Sequence, residues 1–300
     1  MLTGSAALAF GPWLVRLADV APVASAFWRL GLAVMPLAML AAVVGRKASG
    51  PAVCPQTATL LVIALAGVFF AVDLALWHLG IARTTLANST LMANSAAFIL
   101  PVYGFIIARA WPGRMAVVAL LCASAGIALL LGRSAELAAS HLTGDLLCIA
   151  AGAFYAAYFV AIDRVRARVS PLTLLTLATL AGAVALLPLA LTITSGMLAS
   201  ATITEGATHA ASVAFWPRQW TPLILLALGS QVVGQGLIIF AVGYLPPLVI
   251  GLTLLIQPAI SATIGALRFG EGVGPVEVIG MALVATALVL VRLPEGRVKT

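Results

Sequence analysis

The sequence predicts an all-α integral membrane protein of ten transmembrane helices, arranged as two inverted five-helix repeats, and three observations carry that prediction. First, 63% of the 300 residues are hydrophobic and only 8% are charged, with a mean hydropathy of +1.15. A soluble domain has roughly a quarter of its residues charged, and no aqueous globule of this size buries so much apolar surface. Second, the apolar residues fall into ten stretches of about 20 residues, the length at which a helix crosses the hydrocarbon core. The ten-residue alternation of barrel strands is missing. Third, the chain repeats itself while its basic residues change sides.

The expected spans are 2–18, 23–44, 59–82, 86–108, 114–132, 143–162, 172–195, 221–242, 246–267 and 275–292. Span one opens on "LTG" and carries Trp13, then Arg16 near its end; no cleaved signal peptide is expected before it. Span two places Arg29 among apolar neighbours, and span three contains "DLALWHLG", with Asp73, Trp77 and His78 within six residues. Span four, "LANSTLMANSAAFILPVYG", supplies Asn88, Asn94 and Pro101. Spans five and ten have few internal polar groups and suit a peripheral or dimer-forming position, so the chain is expected as a monomer or homodimer. Span six holds Tyr155, Tyr158 and Phe159. After span seven comes a loop of about two dozen residues, an external lid or a linker. Span eight reads "SQVVGQG", with Gln231 and Gln235 four apart, and span nine carries Gln257 and Pro258.

The internal repeat sets Pro101 opposite Pro258, and "LTG" recurs at 2–4 and 142–144. The units are expected at 1–135 and 141–295. Five helices per unit force the second copy to lie inverted. The charges agree: "ADVAP" after span one has no basic residue, whereas "DRVRARVSP" after span six has three. With both termini cytoplasmic, the inside carries Arg46, Lys47, Arg109, Arg114, Arg164, Arg166, Arg168, Arg292, Arg297 and Lys299. The outside then carries Arg83, Arg133, Arg218 and Arg268, as the positive-inside rule requires of a multi-pass protein in a plasma (cell inner) membrane. The net charge of +7 thus reports topology, and no nucleic acid partner is expected. Inverted repeats about a midplane site are the build of alternating-access carriers.

Three stretches, "LVRLADVAPVASAFWRLGLAV", "DLALWHLGIARTTLANSTLMAN" and "LTLLIQPAISATIGALRFGEGVGPVEVIGMALV", resemble the drug/metabolite transporter superfamily in its ten-helix EamA-type branch. The chain departs from that pattern after span four, where "IARAWPGRM" lacks the Gly-Glu that Glu271 retains after span nine. The resemblance implies a secondary transporter of small organic solutes, an exporter of amino acids or related compounds. The alternatives are an uncoupled, channel-like facilitator and an exporter of drugs or nucleobases.

Ionisable groups inside spans are expensive and face protein or a water-filled cavity. Arg29 and Asp73 lie at similar depth, and an ion pair between them acts either as a strut or in gating and substrate contact. His78 is a titrating group or a hydrogen-bonded packing histidine; Trp77 is an interfacial residue or a stacking platform. Gln231, Gln235, Asn94 and Gln257 are substrate contacts or interhelical glue, and Trp13, Tyr155 and Tyr158 are cavity walls or lipid-facing packing. Pro101 and Pro258 free carbonyls and provide hinges. Spans one, three, four, six, eight and nine are expected to line the cavity. Cys54, Cys122 and Cys148 form no disulfide framework, and no metal, cofactor or catalytic template is present, so an enzyme is not expected. Glu271 and Glu277, six apart, are explained by capping and solvation.

Overall fold

Each of the ten expected spans contains helix in the computed structural model, which describes residues 2–47, 56–96, 99, 113–201, 214–242, 256–272 and 274–290. Among those residues five helices are long and apolar enough to cross a membrane, and two shorter apolar helices cover Val117–Arg133 and Pro275–Ala287. The protein is an all-α, multi-pass membrane protein.

Span one is split into α1 (Leu2–Ala9) and α2 (Gly11–Leu17). The break falls at Phe10 because Pro12 has no amide proton and suits the start of a new helix. Spans two and three are α3 (Pro22–Lys47) and α4 (Thr57–Ile81). Span four begins as α5 (Leu86–Ala93), where the Thr85 side chain accepts from Asn88 N at 3.1 Å. It was expected to continue unbroken to 108, but α5 ends at the Asn94–Ser95 turn, where short polar side chains compete for backbone partners. Pro101 lies outside the described residues. Spans five, six and seven are α6 (Arg114–Leu137), α7 (Ala139–Val165) and α8 (Pro171–Ala201), the last running beyond its expected end at 195.

Span eight is α9 (Thr221–Leu225), a π-helical segment (Leu226–Gln235) and α10 (Gly236–Val242). Its buried positions, Leu226–Ala227, Ser230–Gln231 and Gly234–Gln235, recur every four residues, wider than the 3.6-residue α period. Spans nine and ten contribute α11 (Ile256–Phe269) and α12 (Pro275–Leu290).

Packing follows an exchange of the two halves. α4 packs on α7 and α8, and correspondingly the π segment packs on α1 and α3. α5 packs on α7 as α11 packs on α1. Three further pairs, α3 with α8, α5 with α11 and α6 with α12, map onto themselves. α4 is apolar on every side, as a span that packs on neighbours with one side and leaves Leu61 and Leu65 exposed on another requires. Small residues let these helices close up. A Cβ on Gly67 would stand 2.6 Å from Ala178 O and 2.6 Å from Ala181 Cβ of α8. One on Gly126 of α6 would stand 2.7 Å from Gly280 O of α12. Such contacts replace the hydrophobic drive that lipid does not supply.

Candidate functional site

A cavity enclosing about 520 Å³ of empty space, its mouth included, sits where both halves meet. α4 supplies Phe70, Asp73, Leu74 and Trp77; α5 and the turn after it supply Thr90, Ala93 and Asn94. Tyr155 of α7, Gln235 of the π segment, Gln257 of α11 and Leu8 of α1 complete most of the wall. The six expected spans do line it. A seventh, span two, joins them through Arg29.

Arg29 is 2% exposed. Its Nε donates to Gln231 Oε1 at 3.3 Å, and its guanidinium carbon lies 5.6 Å from the centre of the Trp77 ring. Gln231 in turn donates from Nε2 to Thr179 Oγ1 at 3.1 Å, tying the π segment to α8. Trp77 donates from Nε1 to Ser89 O at 3.1 Å, so its ring is fixed between α4 and α5. Arg29 and Asp73 share the cavity but form no direct ion pair within 4.0 Å. The ion pair expected between them is not formed; the guanidinium is instead contacted by Gln231 and Trp77.

Tyr155 donates its hydroxyl to Gln235 Oε1 at 3.1 Å, linking α7 to the π segment across the wall. Four of the expected site residues lie behind the wall. His78 is fully buried, with Nδ1 2.7 Å from Ser25 Oγ of α3. Tyr158 stacks on Phe70 at 4.8 Å between ring centres. Gln231 braces Arg29, and Trp13 is half-buried beside Phe10 at 6.1 Å. Pro258 is buried at the third position of α11, beside the cavity residue Gln257.

At the bundle end that holds Arg16, Thr84 and Glu271, the helices are tied together by contacts that sequence reasoning missed. Glu271 is no solvated cap: its side chain is 14% exposed and its Oε1 receives Arg16 Nη1 at 2.5 Å. Its Oε2 accepts from Leu86 N at 2.9 Å. Arg16 also donates from Nε to Ile81 O at 3.2 Å and from Nη2 to Thr84 O. Gly270, at φ +64°, folds the chain back so that Glu271 reaches this position. That backbone is open to glycine and strained for other residues. One clasp therefore joins spans one, three, four and nine. Glu277 likewise pairs with Arg133 at 3.1 Å.

Beside the clasp, Asp145 of α7 is fully buried and accepts from Thr84 Oγ1 at 2.5 Å and from Asn88 Nδ2 at 3.2 Å. A buried acid at the start of an apolar span was the signal available for it. Deeper in the same end, Thr90 Oγ1 lies 3.0 Å from Ser261 Oγ, whose hydroxyl donates to Ala9 O at 3.1 Å. Over α3, segment 214–220 is pinned by Ala21 N to Ala214 O (2.8 Å) and Trp28 Nε1 to Phe215 O (2.8 Å). Asp19 Oδ2 accepts from Arg218 N at 2.9 Å and from Gln219 N at 3.1 Å. The described part of the loop thus docks as a cap, with Trp28 packed against Phe215, Trp216 and Trp220.

A cavity lined from both parts of a helical membrane bundle suits a transporter, and comparison with known families agrees. The model of the EamA-like transporter family matches residues 142–293. The chain belongs to that family. It is an EamA-type member of the drug/metabolite transporter superfamily and a membrane transporter. No curated protein matches it. Twelve chains of solved structures do match. One of them, a crystal structure of a protein 16% identical to this chain, aligns over 97% of this chain and 96% of its own length. Its TM-score of 0.59 shows a shared fold.

Proposed function

We propose that this EamA-type protein is a secondary transporter that moves amino acids or related small metabolites out of the cell by alternating access. Its ten spans form inverted units at 1–135 and 141–295, both termini face the cytoplasm, and the membrane is the cell inner membrane. The observation that carries this reading is the cavity between the halves, walled by Asp73, Arg29, Trp77, Tyr155, Gln235 and Gln257. Uncharged amides and aromatic faces there suit a polar organic solute, and the symmetric packing supports rocking of one half against the other. The family match falls within the second unit, which supports the division of the chain.

The Arg16–Glu271 clasp and the docked 214–220 segment support a state closed toward the outside. Opening there requires the clasp to part, with Pro258 and Pro101 as the bending points of spans nine and four. Spans five and ten, α6 and α12, pack mainly on each other and serve as the peripheral or dimer-forming wall. The test is thermal stabilisation of the purified protein by amino acids, nucleobases and amphipathic cations, because a ligand bound only by the folded state raises the melting temperature. Stabilisation by amino acids supports the reading; stabilisation by nucleobases or cations alone replaces the substrate class.

A further inference from the structure

A guanidinium and a carboxyl group share the cavity without pairing with each other. Arg29 Nη1 is buried and has no hydrogen-bond partner in the structure, although Nε is engaged by Gln231 and the guanidinium face by Trp77. The guanidinium is therefore held in place from two sides with a donor left over, and Arg29 lines the cavity. Asp73, 6% exposed, faces the same cavity from α4 and takes part in none of the ion pairs among the described residues. An unmatched charged group inside a bundle is costly, and a fixed guanidinium donor is well suited to a carboxylate oxygen.

We infer that Arg29 and Asp73 are the two poles of a zwitterion site, Arg29 Nη1 taking the carboxylate of the solute and Asp73 its ammonium. This inference deepens the transporter reading and rests on it. The cavity has no net charge from this pair, yet it is bipolar. A zwitterion matches both poles, whereas a lone cation or a lone anion leaves one of them unsatisfied. Trp77, Phe70 and Leu74 supply an apolar wall for the remainder of the solute. Gln231 is then a positioning residue: it holds Nε of the guanidinium while Nη1 is left unpartnered, and it does not line the cavity itself.

The experiment uses the full chain in detergent and three probe mixtures: free α-amino acids, their carboxamides, and their N-acetyl derivatives. Melting-temperature shifts are titrated against each mixture for the wild type, Arg29→Gln, Arg29→Lys and Asp73→Asn. Wild type is stabilised by the free amino acids, and blocking either end weakens apparent binding by about tenfold or more, the scale of a lost charge-assisted hydrogen bond. In Arg29→Gln the carboxamides bind as well as the free acids. In Asp73→Asn the N-acetyl derivatives do. Arg29→Lys, which keeps the charge without the fork, retains part of the preference for a carboxylate and guards against a folding loss in Arg29→Gln.

Equal stabilisation of the wild type by all three mixtures overturns the inference, as does unchanged end-group preference in folded variants. If no mixture stabilises the wild type, but nucleobases or amphipathic cations do and are exchanged across proteoliposomes, the zwitterion site falls while the transporter stands. If no solute of any class stabilises the protein or is exchanged, both readings fall.

Discussion

Removing the Glu271 carboxylate tests whether the clasp holds the closed end together. In Glu271→Ala, Arg16 Nη1 loses its 2.5 Å partner and Leu86 N, in the first turn of α5, loses its 2.9 Å acceptor. Arg16 keeps its two carbonyl acceptors, Ile81 O and Thr84 O. The side chains are only 20% and 14% exposed, so solvent screens the pair weakly. A hydrogen bond to a charged group contributes about 1.5–3 kcal/mol in soluble proteins, whereas interhelical bonds in membrane bundles average about 0.6 and reach about 1.7 kcal/mol. Two such contacts give a loss of about 1.2–3.4 kcal/mol. Glu271→Gln keeps an acceptor for Leu86 N and loses about half of that.

The assay is a double-mutant cycle with Arg16→Gln, read by reversible unfolding in mixed micelles of increasing denaturing detergent. The expected coupling is about 1–2 kcal/mol. Arg133→Gln, at a more exposed pair with Glu277, serves as the comparison and is expected to leave stability unchanged. Strict additivity of Arg16→Gln and Glu271→Gln refutes the clasp as an energetic unit. So does a Glu271→Ala loss no larger than that of Arg133→Gln.

Three further outcomes follow from the geometry. Gly67→Ala places a methyl 2.6 Å from Ala178 O and 2.6 Å from Ala181 Cβ, and such overpacking costs about 1–3 kcal/mol; unfolding at lower detergent denaturant measures it. Tyr155→Phe removes the 3.1 Å bond to Gln235 and leaves the ring packing, so stability falls by about 0.6–1.7 kcal/mol, read by unfolding in denaturing detergent. Asp19→Ala frees the backbone amides of Arg218 and Gln219, and limited proteolysis then cuts within 214–220 faster, with the melting temperature held.

Hydropathy alone located the spans, because helix length is set by bilayer thickness and each span must satisfy its own backbone. It did not show where a span breaks. Phe10 and the Asn94–Ser95 turn depend on local hydrogen bonding that an averaged apolar run conceals. The π segment was partly legible, since "LALGSQVVGQ" sets small and polar residues in pairs every four positions. Gln231 and Gln235, four apart, both fall on the buried side of this segment, yet Gln231 bonds to Arg29 and Thr179 and Gln235 to Tyr155.

Polar residues inside apolar spans drew attention to Arg29, Asp73, Trp77, Tyr155 and Gln235, and all five meet in the cavity. His78 looked equivalent in the sequence, yet one helical step turns it onto Ser25 and away from the wall. Arg16 and Glu271 were read as span-end charges, because 255 residues separate them and only the tertiary fold brings them together.

The central claim is that the cavity carries an amino-acid-like solute by alternating access, and counterflow in proteoliposomes tests it most directly. Vesicles loaded with unlabelled amino acids are diluted into a trace of the labelled mixture. The account predicts saturable uptake with a transient overshoot of label, reduced in Asp73→Asn and in Arg29→Gln. Uptake that rises linearly with concentration and never overshoots contradicts it, and leaves a channel-like facilitator in its place.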